Sequence, residues 1–161
     1  DSIGPVVDQR QLEQDLSYIE IGKSEGAVLF CGGERVARET EGNFLTPALF
    51  IDTHNNMRIN QEEIFGPIAS VIKVKNYDEA LNIANDTEFG LSAGIVTNSL
   101  KHATHFKRHS QSGIAQVNLP TAGVDYHVPF GGTKSSSYGA REQGQYAKEF
   151  YTTVKTSYTA S

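Results

Sequence analysis

The spacing of apolar residues predicts an amphipathic helix near the start of the chain. Leu12, Leu16 and Ile19 recur at the i, i+4, i+7 spacing within Asp8 to Ile21, which places them on one face of a helix. Gly22 follows at the position where a helix C-terminus favours a left-handed backbone. We therefore expect a short helix that packs through this apolar face.

Strands and helices alternate through most of the remaining sequence. Short apolar runs bounded by turn residues predict strands at Ala27 to Phe30, Leu45 to Ile51, Ile68 to Val74, Leu91 to Thr97 and Ile114 to Asn118. Asn76 caps a predicted helix that ends at Gly90, and Ser99 caps another that runs through His109. This alternation predicts an α/β fold with a largely parallel sheet flanked by helices.

Two segments near the C-terminus have different patterns. Asn118 to Gly144 is rich in Gly, Pro and Ser, which predicts a long loop, and ordered loops of this length usually serve a site. Phe150 to Tyr158 alternates in a two-residue period, which predicts a β-strand that follows the completed domain.

Composition and charge exclude several classes of function. The chain has 161 residues and a net charge of -5, and its basic residues are scattered, so we expect no binding to nucleic acid or to an anionic membrane. A single cysteine cannot form an intrachain disulfide, and no apolar run is long enough to span a membrane. These features indicate a cytoplasmic protein of one domain. Because the sequence begins without methionine and is patterned from the start, we expect a piece of a longer protein.

Three sets of residues are candidates for chemistry but favour other interpretations. Cys31 ends an apolar run with no adjacent cation or histidine, so a small apolar residue at a strand end is favoured over a nucleophile. His102, His105 and His109 share one helix face, where flanking lysine and arginine favour a solvated surface over a zinc site. The stretch Gly131 to Ser136, GGTKSS, lacks the spacing of a phosphate-binding loop.

Two acidic residues stand just before the apolar run that starts at Ile68. Glu62 and Glu63 are followed by Phe65 and a Gly-Pro turn. In one interpretation they are ordinary solvated acids. In the other, a carboxylate accepts hydrogen bonds from both hydroxyls of a ribose while Phe65 packs against the same ligand. The residue pattern alone leaves both interpretations open.

Several motifs nevertheless resemble those of one enzyme family. The stretch QEEIFGPIASVIKV resembles the motif that opens the last part of the catalytic domain in NAD(P)-dependent aldehyde dehydrogenases. GNFLTPALF, VPFGGTKSSSYGAREQG and EFYTTVKTSY are similar to further segments of that family in the same order. The resemblance covers essentially the whole chain, which corresponds to about the final third of a family enzyme. The stretch NLPTAGVDYHVPFGG is most similar to the α-ketoglutaric semialdehyde (2,5-dioxopentanoate) dehydrogenases.

The resemblance implies roles for individual residues. Glu63 matches the glutamate that hydrogen-bonds the nicotinamide ribose, and Phe65 matches the aromatic residue beside that ribose. Phe130 matches an aromatic residue near the substrate tunnel, and Val124 lies in the loop at the tunnel mouth. The family nucleophile and base lie upstream of the matched region, and Cys31 matches a variable position. The resemblance thus implies a segment of an oxidoreductase that uses NAD or NADP to oxidise an aldehyde, with no metal and no catalytic residue of its own, inactive alone.

The resemblance also implies how the chain is divided and assembled. Residues 1–148 correspond to the C-terminal portion of the catalytic domain, and residues 149–161 to an oligomerisation tail. In the family the final strand pairs with another subunit, so we expect a homo-oligomer formed through Phe150 to Tyr158. The alternative is a non-catalytic binding or assembly module that uses the same strand.

Overall fold

The computed structural model describes residues 3–160, and the chain forms two compact units that divide between Lys75 and Asn76. In chain order the elements are α1 (Gln9–Ser24), β1 (Val28–Cys31), β2 (Arg35–Val36), β3 (Phe44–Leu45), β4 (Ala48–Ile51), α2 (Arg58–Gln61), β5 (Ile68–Ser70), α3 (Tyr77–Asn85), β6 (Ser92–Ile95), α4 (Leu100–His109), β7 (Ile114–Val117) and α5 (Ala147–Tyr151). Two single-turn 3-10 helices, Lys134–Ser136 and Gly144–Tyr146, lie between β7 and α5.

Helix α1 forms where the apolar spacing predicts it and extends one turn further. The side chain of Asp8 caps the helix by accepting a hydrogen bond from the backbone N–H of Gln11 at 2.8 Å. Gly22 does not end the helix as expected. It lies inside α1 against the Phe50 ring, where a Cβ would be only 3.0 Å from the ring, so glycine is required for close packing. The left-handed residue after the helix is Gly26, with φ of 94°.

The sheets are small and of mixed direction, whereas the sequence predicts a largely parallel sheet. In the first unit β4 lies between β1, which is antiparallel to it, and β5, which is parallel. Strands β2 and β3 form a separate antiparallel pair. Hydrogen bonds from the backbone N–H of Gly33 to Thr46 and from that of Thr46 to Glu34 continue the pairing past Gly32-Gly33. The chain reverses between β2 and β3, in residues 37–43, so the two predicted strands on either side pair as a hairpin. Pro47 separates β3 from β4, which the sequence pattern had joined in one strand.

One hydrophobic core holds the first unit together. It is formed by α1, the hairpin and the segment that contains α2, and its buried members are Leu12, Ile19, Ala27, Leu45, Ala48, Phe50, Met57, Ile59 and Ile64. Phe50 on β4 is completely buried, at 0% exposure. The side chain of Ile64, one residue before Phe65, packs in this core and thereby anchors the Glu62–Pro67 segment to the first unit.

The second unit has the predicted caps and a two-stranded parallel sheet. Asn76 caps α3 by accepting from the backbone N–H of Glu79, and Ser99 caps α4 by accepting from that of His102. Strand β6 pairs with β7 in parallel, as a strand-helix-strand unit should. Helix α3 ends at Asn85 rather than at Gly90. Gly90 is instead buried, and its carbonyl oxygen accepts from the backbone N–H groups of Gly113 and Thr133.

The predicted terminal strand does not form within the chain. Phe150 and Tyr151 belong to the short helix α5, and residues 152–160 have no regular secondary structure and are exposed. A strand requires a neighbour that accepts and donates its backbone hydrogen bonds, and the described part of this chain provides none for residues 152–160. Among the described helices, none has the length and apolar character required to cross a membrane.

Candidate functional site

In the segment Glu62–Pro67, the exposed residues Glu63 and Phe65 flank a buried anchor, Ile64. Ile64 is 9% exposed and packs in the core. Glu63, one residue earlier, is exposed, and Phe65, one residue later, is 80% exposed. Because its neighbour Ile64 is anchored in the core, the exposed ring of Phe65 starts from a fixed point of the backbone. The two residues that the sequence predicts for cofactor binding therefore emerge from the same short segment.

One face of α1 supports this segment through polar side chains. The amide nitrogens of Gln11 and Gln14 both donate to the carbonyl oxygen of Ile64, at 3.0 and 2.9 Å. One turn further along the helix, the hydroxyl of Tyr18 donates to the carboxylate of Glu62 at 2.7 Å. Residues fifty positions apart in the sequence thus fix the backbone on which Glu63 stands.

Asp15 lies at the centre of that face and is completely buried, at 0% exposure. Its Oδ1 accepts a hydrogen bond from Gln11 at 2.7 Å, while Oδ2 has no hydrogen-bond partner among the described residues. Burial raises the pKa of the Asp15 carboxyl, and the bond from Gln11 opposes this only in part. The carboxyl group touches Gly66 so closely that a Cβ on that residue would overlap it.

The backbone at Phe65 has a conformation that few residues other than glycine adopt. Its φ is 61°, in the left-handed region, where a bulky side chain is unfavourable. Gly66 follows it, and its carbonyl oxygen accepts from the N–H of Ile68 at 2.8 Å. One edge of the Phe65 ring borders an apolar groove of about 440 Å³, whose other walls include Pro5, Val7 and Pro67. The turn therefore directs an aromatic ring outward beside a concave apolar surface.

The two neighbouring glutamates differ in their contacts. Glu62 forms a two-point ion pair with Arg58, with N–O distances of 2.8 and 2.9 Å. The hydrogen bonds from Arg58 and then Tyr18 lower the pKa of Glu62 to about 2. Glu62 therefore acts as a structural anion. Glu63 is exposed, so its side chain is accessible to a ligand.

Val124 and Phe130, the residues predicted for the substrate tunnel, lie on one loop of the second unit. Both are half-buried. Phe130 forms an isolated antiparallel bridge with Glu142, with backbone hydrogen bonds of 2.7 and 2.8 Å in the two directions. The bridge closes the turn that contains the two buried glycines Gly131 and Gly132. Phe130 is thus fixed by its backbone.

Two cations in this loop are already engaged with backbone carbonyl groups. The ammonium of Lys134 donates to the carbonyl oxygens of Asn85 and Thr87 at 2.5 and 2.8 Å, which satisfies carbonyl groups at the end of α3. The guanidinium of Arg141 donates to the carbonyl oxygen of Gly132. Both cations therefore fasten the loop to its surroundings.

Of the three histidines of α4, His109 is exposed as the sequence favours, whereas His102 and His105 are half-buried. The ring of His102 stacks on Tyr77 of α3, with centroids 4.3 Å apart, and His109 stacks on His105 at 3.8 Å. The hydroxyl of Tyr77 lies 2.9 Å from Nδ1 of His105. Contact with α3 half-buries His102 and His105. Within residues 3–160, no three His, Cys, Asp or Glu side chains are arranged to hold a metal ion.

Cys31 lies at the end of β1, as predicted for a residue at a strand terminus. It is exposed, whereas a small apolar residue in that place is commonly buried. The register of β1 against β4 shifts between Leu29 and Cys31, and such a bulge changes the direction of the side chain that follows. The bulge accounts for the exposure of the thiol.

Sequence analysis did not identify the supporting residues Gln11, Gln14 and Asp15. Polar residues that hold a distant segment from one face of a helix recur at no characteristic spacing in the sequence. Asp15 alone gave a signal: it lies three residues after Leu12 and four before Ile19, inside the apolar stripe. A carboxylate at a core position of an amphipathic helix indicates a buried partner.

Relatives of known activity match nearly the whole chain. It is 46% identical over 156 residues to the α-ketoglutaric semialdehyde dehydrogenase of Bacillus subtilis, an alignment that covers 96% of this chain and 32% of that protein. It is 47% identical over 160 residues to the α-ketoglutarate semialdehyde dehydrogenase of Haloferax volcanii, covering 97% and 33% respectively. The chain therefore spans about a third of the length of these relatives.

Solved structures and a family model give the same result. An indole-3-acetaldehyde dehydrogenase in complex with NAD+ superposes with a TM-score of 0.88 at 41% identity, covering 95% of this chain and 30% of that one. The betaine aldehyde dehydrogenase of Staphylococcus aureus in complex with NAD+ gives 0.86 at 31% identity, covering 92% and 29%. The model of the aldehyde dehydrogenase family matches residues 1–157. The chain belongs to the aldehyde dehydrogenase family.

Proposed function

We propose that this chain supplies cofactor and substrate-tunnel residues to an NAD(P)+-dependent oxidoreductase that converts an aldehyde to a carboxylic acid. The observation that carries the proposal is the exposure of Glu63 and Phe65 on either side of Ile64, whose carbonyl oxygen is held by two side chains of α1. In this proposal the nucleophile and the general base belong to residues outside the chain, which alone does not turn over substrate. A cytoplasmic location is part of the proposal.

The exposed pair fits the nicotinamide ribose of a dinucleotide. A free carboxylate can accept hydrogen bonds from both hydroxyls of a vicinal diol, and Glu63 is exposed beside a fixed backbone. Phe65 offers an apolar face to the same ligand. When bound, the dinucleotide supplies the hydride acceptor, and the chain's residues hold it in position. The NAD+ complexes of two of the similar structures support a nicotinamide dinucleotide, NAD+ or NADP+, as the cofactor.

The substrate we propose is α-ketoglutaric semialdehyde. Support comes from the names of the Bacillus subtilis and Haloferax volcanii relatives, whose identity to this chain exceeds 45%. In this account Phe130 and Val124 line the tunnel. Lys134 and Arg141 are engaged with carbonyl oxygens, so we do not assign either to the substrate carboxylate.

Assembly is the second part of the proposal. Large apolar side chains remain exposed in the tail, among them Val154 at 97% and Tyr158 at 95%. We propose that Phe150 to Tyr158 forms its strand by pairing with another subunit, which would supply the missing backbone hydrogen bonds. A non-catalytic assembly module would use the same tail, and it would have no affinity for a dinucleotide.

A chimeric enzyme tests the proposal directly. This chain would replace the matching 156 residues of the Bacillus subtilis relative, which retains its own upstream region. We expect reduction of NAD+ that depends on α-ketoglutaric semialdehyde, and no reduction by this chain alone. A folded chimera that binds neither dinucleotide would reject the cofactor role and favour the assembly module. Turnover that alkylation of Cys31 abolishes would overturn the assignment of the nucleophile to the upstream region.

A further inference from the structure

Glu63 and Phe65 point outward because the backbone between them is held, and α1 holds it. The peptide group before Phe65 is fixed by the two glutamine side chains that donate to the carbonyl oxygen of Ile64. The peptide group after Phe65 leads into Gly66, whose Cα faces the Asp15 carboxyl. The left-handed conformation of Phe65, with φ of 61°, persists only where its surroundings enforce it.

Asp15 connects these restraints. It accepts the hydrogen bond from Gln11 at 2.7 Å, and the same amide nitrogen donates to Ile64 at 3.0 Å. Its carboxyl group occupies the space that a side chain at position 66 would need. Because Asp15 is 0% exposed, water cannot take its place without rearrangement of the helix and the segment.

We propose that Asp15 is a positioning residue that sets the directions of the Glu63 and Phe65 side chains. It does so by orienting Gln11 toward the carbonyl of Ile64 and by filling the space against Gly66. Asp15 itself touches no ligand in this account. The importance of the positioning for catalysis rests on the proposed function, whereas the positioning itself is a property of this chain.

A set of variants of the full 161-residue chain tests the proposal. Asp15→Ala removes the carboxyl, and Asp15→Asn keeps its size and an oxygen that can accept from Gln11. Ile19→Ala is the matched control, because Ile19 is on the same helix and 2% exposed but packs beside Gly33. Should Asp15→Ala fail to fold, Asp15→Ser keeps a polar side chain and still vacates the space at Gly66.

The first measurement is the backbone conformation of Phe65 by NMR, from its Cα and Cβ shifts and its intraresidue amide–Hα cross-peak. We expect the left-handed signature to disappear in Asp15→Ala and to persist in Asp15→Asn and Ile19→Ala. If Asp15 only stabilised the fold, Asp15→Ala and Ile19→Ala would change the NMR signals of Phe65 in the same way. An unchanged Phe65 in Asp15→Ala, or equal changes in both alanine variants, would overturn the proposal.

The second measurement is titration of the same variants with NAD+. We expect Asp15→Ala to weaken binding roughly tenfold, the scale on which loss of supporting contacts weakens a site, and Ile19→Ala to leave it unchanged. Glu63→Gln separates the positioning role of Asp15 from the cofactor role of Glu63. If it binds NAD+ as the unaltered chain does, the cofactor role of Glu63 fails, and the NMR measurement alone decides the positioning role.

Discussion

The two segments that carry the proposed site residues are held from different places in the sequence. In the first unit, side chains of α1 that lie 50 and 53 positions away donate to the carbonyl oxygen of Ile64, and the Asp15 carboxyl fills the space beside Gly66. In the second unit, groups of the loop itself hold the loop around Phe130: the backbone bridge between Phe130 and Glu142, and the side chains of Lys134 and Arg141, which donate to carbonyl oxygens.

The difference determines how each segment responds to mutation. The first segment can be altered from a distance, because truncation of Gln11, Gln14 or Asp15 on α1 removes the contacts that support it. The loop of the second unit is altered by substitution of its own residues, and its backbone bridge to Glu142 has no side chain that can be truncated.

The largest expected effects come from adding a methyl group at the two close contacts. In Gly66→Ala the new Cβ overlaps the Asp15 carboxyl, and in Gly113→Ala it overlaps the carbonyl oxygen of Gly131. We expect each to lower the free energy of unfolding of its own unit by about 1–3 kcal/mol. Urea denaturation followed by amide NMR signals of each unit would measure both.

A double variant distinguishes the two contacts. Asp15→Ala in the Gly66→Ala background removes the overlapping group, so the pair should be less unstable than the sum of the single effects. In Gly113→Ala the overlapping group is a backbone oxygen, which no substitution removes, so the same Asp15→Ala change in this background should give simple addition. Additive effects in both pairs would show that the side chain of Asp15 is not what restrains Gly66.

An intermediate effect is expected for the cations of the loop. Lys134→Met removes two hydrogen bonds to carbonyl oxygens at the end of α3 and should destabilise the second unit by about 1 kcal/mol. Lys101→Met, at an exposed position of α4, is the control and should have no effect. In the chimera, Lys134→Met should change kcat/KM equally for acidic and neutral aldehydes. A selective loss for the acidic aldehyde would place Lys134 at the substrate carboxylate.

The smallest expected effects concern the pH dependence of stability, which has opposite signs for Glu62 and Asp15. The pKa of Glu62 is lowered to about 2 by Arg58 and Tyr18, so its contribution to stability is present above pH 4.5 and is lost as the pH falls toward 2. Glu62→Gln should therefore destabilise the first unit at pH 6 and converge with the unaltered protein near pH 2.

Asp15 behaves in the opposite way. Burial raises its pKa above the ordinary 3.8, so the folded state binds its proton more tightly than the unfolded state, and stability falls as the pH rises from 3.8. Asp15→Asn should remove this fall and be the more stable form at neutral pH. Parallel stability–pH curves for the unaltered protein and Asp15→Asn would contradict the raised pKa.

Local signals predicted much of the fold, and long-range contacts account for the failures. The caps at Asn76 and Ser99 were predictable because a cap involves only neighbouring residues. Gly22 was misinterpreted as a helix end, because glycine is required there by close packing against the Phe50 ring, 28 positions away. The predicted terminal strand is absent from the chain for a related reason. A two-residue alternation indicates a strand only where a neighbouring strand is available, and the described part of the chain provides none.

The same distinction applies to the candidate site. Glu63 and Phe65 could be proposed from the sequence because their motif is contiguous. The structure adds that Glu62 pairs with Arg58, a partner that the sequence did not indicate. The support from α1 could not be predicted, since Gln11 and Ile64 are 53 residues apart. Only the placement of Asp15 among apolar residues pointed to it.

The most direct test of the account compares the two adjacent glutamates in the chimeric enzyme. Glu63→Gln and Glu62→Gln remove the same charge from neighbouring positions, and the KM for NAD+ is the measurement. The account predicts that Glu63→Gln raises this KM by roughly tenfold, because a hydrogen bond from a hydroxyl to a charged group is lost, while Glu62→Gln leaves it nearly unchanged. Equal KM values for the two variants would contradict the claim that the segment presents Glu63 to the cofactor.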